Sequence, residues 1–178
     1  GRLPDDTPLL TDGHVRLFGA EREMARQTLR AAVHAFLMSV RPGDYLAVLS
    51  FLPQDQALTA GLETLRERLS TRLGVPVLVS HGPQYLHSIG QLYKGGPARG
   101  CFLLLTSDDP VDCPVPGAPY TFGVLKRAQA LGDFQALKDR RRQVLRLDLG
   151  RQPAEGITIL LETVRVMSGR VPGAPVPR

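Results

Sequence analysis

The chain has no tryptophan, and aromatic residues fill only 6% of its 178 positions. It holds two cysteines, Cys101 and Cys113, too few for a disulfide framework. No Cys/His spacing matches a zinc site, and no glycine-rich dinucleotide fingerprint is present. No apolar run approaches the roughly 20 residues that span a bilayer. A basic start followed by an apolar run and a small-residue cleavage site, the mark of a signal peptide, is also missing. These absences point to a cytoplasmic protein with no membrane partner, no metal and no organic cofactor. The opening Gly1-Arg2-Leu3-Pro4-Asp5-Asp6 reads as the middle of a linker, so a longer parent chain is expected.

What is present is ordinary for one globular domain: 43% hydrophobic and 22% charged residues. The formal charge is +5, and much of it comes from Lys138-Asp139-Arg140-Arg141-Arg142, with Arg146 beyond. A basic chain invites a nucleic-acid reading. With few aromatics and no recognisable nucleic-acid motif, these cations are read instead as capping a helix C-terminus, where the dipole favours them. No nucleic-acid partner is expected.

Met24, Leu29, Ala32, Val33, Phe36 and Leu37 recur at helical spacing over residues 21–40. A buried strand follows at 44–51. Leu58, Leu62, Leu65 and Leu69 then stripe a helix from about 56 to 72, which Gly74 stops. Strands are predicted at 75–79, 101–106 and 143–149, and helices at 84–94, 121–140 and 156–167. Glu63 and Glu67 face away from the leucine stripe and are read as solvated. The proline-rich stretch 107–118, with Asp108, Asp109 and Asp112, is read as a connecting loop rather than a metal site. Residues 1–20 are expected to be an extension and 168–178 a flexible tail. Near-continuous apolar strands alternating with helices mean a parallel sheet covered on both faces. The fold class is therefore α/β: a three-layer, doubly wound parallel sheet with at least four parallel strands over residues 21–167.

In such sheets ligands bind where strands end and the next helices begin. The turn Ser80-His81-Gly82-Pro83 and the helix after it offer one such place. There His87 and Gln91 are four apart on one face, and Lys94 lies close to it. His87 and Ser88 fall in the first turn, where free amides and the positive dipole end attract anions. The same dipole should hold the imidazole neutral and able to accept a proton. A capping or surface histidine is the plainer reading of the spacing. Ser88 has no glycine two residues before it, which argues against a serine hydrolase elbow.

Leu86-His87-Ser88-Ile89-Gly90-Gln91 resembles a Leu-His-Ser-x-Gly-Gln segment of bacterial phosphoglucose isomerases. The wider run 82–97 is similar to the isomerase half of bifunctional transaldolase/phosphoglucose isomerases. A second block, Pro116 to Asp133, is similar to a segment near the end of those proteins. The resemblance covers about residues 40–150 and implies a sugar-isomerase (SIS), flavodoxin-like domain of a glucose-6-phosphate isomerase. It implies that His87 helps open the hexose ring, in this family often from across a dimer interface. It also implies that a lysine, best matched by Lys126, assists that step; a solvent-facing helical lysine is the other reading. Ser80, Gly82, Ser88, Gln91 and Lys94 become candidate sugar-phosphate contacts. The family usually has an arginine where Gln84 stands and a threonine where Ile89 stands. Its isomerisation base and phosphate nest come mainly from an upstream SIS domain, an expected partner along with a second copy of the chain. The alternative is an SIS module that binds sugar phosphate or a partner domain without chemistry.

Overall fold

A computed structural model describes residues 7–19 and 28–167. The first turns of the helix expected over 21–40, with Met24, and the tail 168–178 lie outside the described residues.

Two strands come first, β1 (Leu10–Asp12) and β2 (Val15–Phe18), followed by α1 (Leu29–Ser39) and β3 (Tyr45–Phe51). Next are α2 (Gln56–Leu73), β4 (Val77–His81), a 3-10 turn (Gln84–His87) and α3 (Gly90–Gly95). β5 (Gly100–Thr106), α4 (Phe122–Asp139), β6 (Gln143–Asp148) and α5 (Pro153–Val166) complete the order. The six strands form one sheet in the order β1-β2-β6-β5-β3-β4. β3 to β6 are mutually parallel, as the alternation predicts, and β2 joins β6 antiparallel. The hairpin Leu10–Phe18 therefore corrects the reading of residues 1–20 as an extension. Its strands are short, and β1 is mostly exposed, so they carry little apolar periodicity.

α1, α2 and α5 cover one face of the sheet, and α3 and α4 cover the other. The leucine stripe of α2 is buried as expected, while Glu63 and Glu67 are exposed. Local chemistry sets the helix ends. Asp55 Oδ1 accepts from the Leu58 amide at 2.8 Å at the start of α2, and Gly74, at φ +67°, ends it in the left-handed region that glycine tolerates. Cys101 is buried, and burial pushes its thiol up to about 11, so it stays a neutral apolar group near pH 7.

The basic cluster does more than cap a helix. Arg140 is the C-cap of α4. Arg142 reaches back to donate to the carbonyls of Lys94 at 3.0 Å and Gly96 at 2.6 Å. Arg146 is a strand residue, only 1% exposed, with its guanidinium 3.6 Å from the centroid of the Phe18 ring. Burial of such a cation is tolerable when aromatic faces and polar partners replace water.

One buried carboxylate joins α3 to α4. Asp133 of α4, 4% exposed, accepts from the Tyr85 hydroxyl at 2.5 Å and pairs with Lys94 Nζ at 2.6 Å. Burial pushes the Tyr85 hydroxyl far up, and the Asp133 charge adds to it, which favours the protonated, donating form.

Urea denaturation tests both layers. Leu65→Ala should cost about 3 kcal/mol, as deletion of a buried leucine does, whereas Glu63→Ala should stay within about 0.5 kcal/mol. Asp133→Ala should cost about 2–3 kcal/mol, because it leaves the buried Tyr85 hydroxyl without its acceptor and Lys94 without its partner. The triple change Asp133→Leu, Lys94→Met and Tyr85→Phe should recover most of that. Similar losses for Leu65→Ala and Glu63→Ala would contradict the layer assignment.

Candidate functional site

The chain passes from β3 outward to β4, then returns across β3 to β5 and β6. Strand order thus reverses between β3 and β5, which opens a crevice at their carboxyl ends. A cavity of about 240 Å³ lies there. Phe51, Thr106 and Asp148, the last residues of β3, β5 and β6, form its floor. Ser107, Asp108, Asp109 and Asp112 come from the loop after β5, and Lys126 and Arg127 from the first turns of α4.

Lys126 therefore reaches the sheet edge where the resemblance expects a functional lysine. Its ammonium is paired with Asp109, and both side chains are 22% exposed. Asp148 is buried and accepts from Arg16 Nη2 at 3.1 Å and from the Gly150 amide at 3.0 Å. Asp112 accepts from the Gly123 amide at 2.8 Å. Hydrogen bonds from Thr121 and that amide hold the Asp112 carboxyl below the usual carboxylate range. A Cβ on Gly123 would lie 2.7 Å from Asp112 Oδ2, so glycine there lets the carboxylate seat on the helix end. The hydroxyls of Thr106 and Ser107 are buried and have no hydrogen-bond partner among the described residues. The proline-rich loop is ordered by a bridge between Pro114 and Thr121 and by its contacts with α4. No group of three or more acidic, histidine or cysteine side chains among the described residues is arranged to hold a metal.

The second predicted cluster is built differently from the expectation. Residues 84–94 are not one helix: the 3-10 turn ends at His87, Ser88 leaves helical geometry at φ −135°, ψ −99°, and α3 starts only at Gly90. A Cβ at position 90 would lie 3.0 Å from the Tyr85 carbonyl oxygen, so glycine there permits the close backbone approach that this break produces. His87 and Ser88 consequently do not open an α-helix, and the dipole argument for the imidazole falls with it. His87, Ser88 and Gln91 are exposed, and none of them lines the cavity. Ser80 lies in β4 rather than in the turn, and its hydroxyl is engaged by Tyr93 Oη at 2.8 Å in the interior. Lys94 is committed to Asp133. Gly82 is required by packing, since a Cβ there would come within 2.6 Å of the Phe51 ring.

Phe51 stands between the two clusters. It borders the cavity, lies under Gly82, and meets the Tyr85 ring edge-on at 5.8 Å between centroids. Thr106, Ser107, Arg127 and Asp148 were not singled out from sequence, and Asp109 was weighed there only as a metal carboxylate and read as part of a connecting loop. Their signal is position: polar residues directly after all-apolar parallel strands, or in the first turns of the next helix.

No protein-family model and no curated protein matches this sequence. Among solved structures, the fold is similar to that of a hypothetical protein from Thermus thermophilus, with a TM-score of 0.66 at 16% identity. The match takes in 80% of this chain and 41% of that protein, so the chain spans about two-fifths of its length. A likeness at this identity is one of fold, and the fold is a three-layer, flavodoxin-like α/β sandwich with a mostly parallel sheet.

Proposed function

We propose that this chain is the C-terminal SIS-type domain of a glucose-6-phosphate isomerase, within a parent that joins transaldolase and isomerase halves. The parent would interconvert glucose 6-phosphate and fructose 6-phosphate in the cytoplasm. The observation that carries this reading is the position of Lys126 in a cavity at the strand-order reversal, on the helix whose sequence resembles the end of those isomerases.

In this reading Lys126 and His87 serve ring opening. The C1–O5 bond breaks, O1 becomes a carbonyl oxygen, and the proton lost from the O1 hydroxyl appears on O5. A lysine ammonium at O5 stabilises the negative charge that develops there, and an imidazole relays the proton. His87 is exposed and outside the lining of the cavity that holds Lys126. It is therefore assigned to the site of a second copy, with ring opening shared across a dimer. The proton transfer between C1 and C2 needs a carboxylate, and that base, like the phosphate nest, is assigned to the upstream domain.

In the parent chain, His87→Ala should lower isomerase kcat by roughly 10²-fold, the usual scale of lost acid–base catalysis. Because His87 is exposed, its Tm should stay within about 2 °C of the parent's, as for a neutral surface change. The assay is the coupled oxidation of glucose 6-phosphate formed from fructose 6-phosphate, beside a thermal melt. Unchanged turnover, or loss of rate only in step with loss of folding, would remove His87 from the mechanism.

A further inference from the structure

Arginines gather at the edge of the sheet opposite the cavity. α2 leads into the start of β4, and α5 leaves the end of β6 and packs beside α2, so both helices end near the amino edge of the strands. An open groove of about 520 Å³ lies between their last turns. Glu67, Arg68, Thr71 and Arg72 of α2 line it, with Val164 and Arg165 of α5. Glu67 with Thr71, and Arg68 with Arg72, are four apart and therefore neighbours on one flank of α2. The groove shares no lining residue with the carboxyl-end cavity.

The plain explanation of arginine at a helix C-terminus is the dipole, but the dipole is too small for the charge found here. Each helix end is worth about half an elementary charge, so α2 and α5 together supply about one negative charge. Arg165 has its own partner, because its Nε and Nη2 donate to Glu162 at 3.0 and 2.7 Å. Glu63 and Glu67 share Arg66, at 2.7 and 3.6 Å, which leaves one further negative charge. Arg30 of α1, Arg68 and Arg72 are in no ion pair among the described residues. Hydrogen bonds from Arg165 lead in holding the Glu162 carboxyl below the usual carboxylate range, and the charges of Arg30 and Arg68 nearby add to it. Three unpaired guanidiniums therefore leave a positive surplus. One of them is also unsatisfied: Arg72 Nε is buried and donates to no described residue. A buried donor on a charged group left unpaired carries a desolvation cost, which an oxyanion in the groove relieves.

We infer that the groove between α2 and α5 is an anion site that takes the phosphate group of a small organic phosphate, with Arg72 and Arg68 as its principal donors. A guanidinium presents neighbouring N–H groups to two oxygens of one phosphate, which gives the Arg72 Nε its acceptor. A phosphate ester brings a charge of about −1.5 to −2 at neutral pH, enough to cancel the surplus. Thr71 adds an exposed hydroxyl, and buried Val164 an apolar wall for the body of the ester. The size of the groove is that of a small-molecule site. A nucleic-acid backbone would need a longer basic track, and the exposed carboxylates of Glu63 and Glu67 interrupt it. The inference does not depend on the function read from the carboxyl-end cavity.

The test is an amide NMR titration of the 178-residue chain at low ionic strength, with fructose 6-phosphate, inorganic phosphate, fructose and a single-stranded oligonucleotide as probes. Fructose 6-phosphate should shift the Arg68, Thr71, Arg72 and Arg165 amides saturably, and inorganic phosphate should do so more weakly. Fructose, and sodium chloride at matched ionic strength, should leave them in place. Arg72→Gln should weaken the ester at these amides about tenfold, the scale of one lost charged hydrogen bond, and Arg72→Lys should fall between the two. Arg68 is exposed, so Arg68→Gln folds as the unmodified chain does and should weaken the ester as well. The Thr106 and Lys126 amides report separately on the carboxyl-end cavity, so either site can fail while the other stands. The inference is overturned if neither phosphate shifts the groove amides, or if sodium chloride shifts them equally. It is overturned too if both Gln variants bind the ester unchanged, if inorganic phosphate binds as tightly as the ester, or if the oligonucleotide binds the groove more tightly than either.

Discussion

The pairing of β3 with β5 is the constraint on which the rest of the molecule depends. These two strands are parallel from Tyr45 opposite Gly100 to Phe51 opposite Thr106, and nearly every residue in them is buried. Strands covered on both faces must be apolar throughout, so polar chemistry is pushed to their ends. The chain approaches them from opposite sides, with β4 beyond β3 and β6 beyond β5. The loops that leave their carboxyl ends therefore diverge, and the space between them is the cavity. Thr106, Ser107 and Asp109 belong to a site because the ladder stops there.

Charge is handled in two ways around that space. Asp133 and Asp148 are almost wholly inside the protein, and each has a fixed cationic partner, Lys94 and Arg16. Removing one member of such a pair leaves an uncompensated buried charge, which makes these carboxylates parts of the scaffold. The pair between Asp109 and Lys126 is different. Its carboxylate is 22% exposed, whereas those of Asp133 and Asp148 are 2% and 3% exposed. The same side-chain chemistry thus forms a buried tie at Asp133 and a partly exposed pair at the cavity rim at Asp109. Phe51 keeps the two regions apart, with the cavity on one side and the Gly82 turn on the other.

Much of the architecture was legible in the sequence. The four parallel strands, the leucine stripe of α2, and the helices flanking the sheet follow from apolar periodicity and from stops such as Gly74. The hairpin Leu10–Phe18 was not legible, because three- and four-residue strands at a sheet edge leave too short a pattern. The helix predicted over 84–94 failed at Ser88, whose backbone leaves helical geometry between the 3-10 turn and α3, a break that the apolar spacing does not signal. Of the candidate contacts, Lys126 faces the cavity, whereas Ser80 and Lys94 are engaged by Tyr93 and Asp133. Those engagements join residues far apart in the chain, and linear spacing cannot reveal such pairings. Arg146 was grouped by sequence with cations read as capping a helix C-terminus, yet it is a buried strand residue stacked on Phe18.

The most direct test of the account is a crystal structure of the chain grown with fructose 6-phosphate. Sugar density is expected in the cavity between Thr106 and Lys126. Ligand density elsewhere on the molecule, away from Lys126, would contradict that placement.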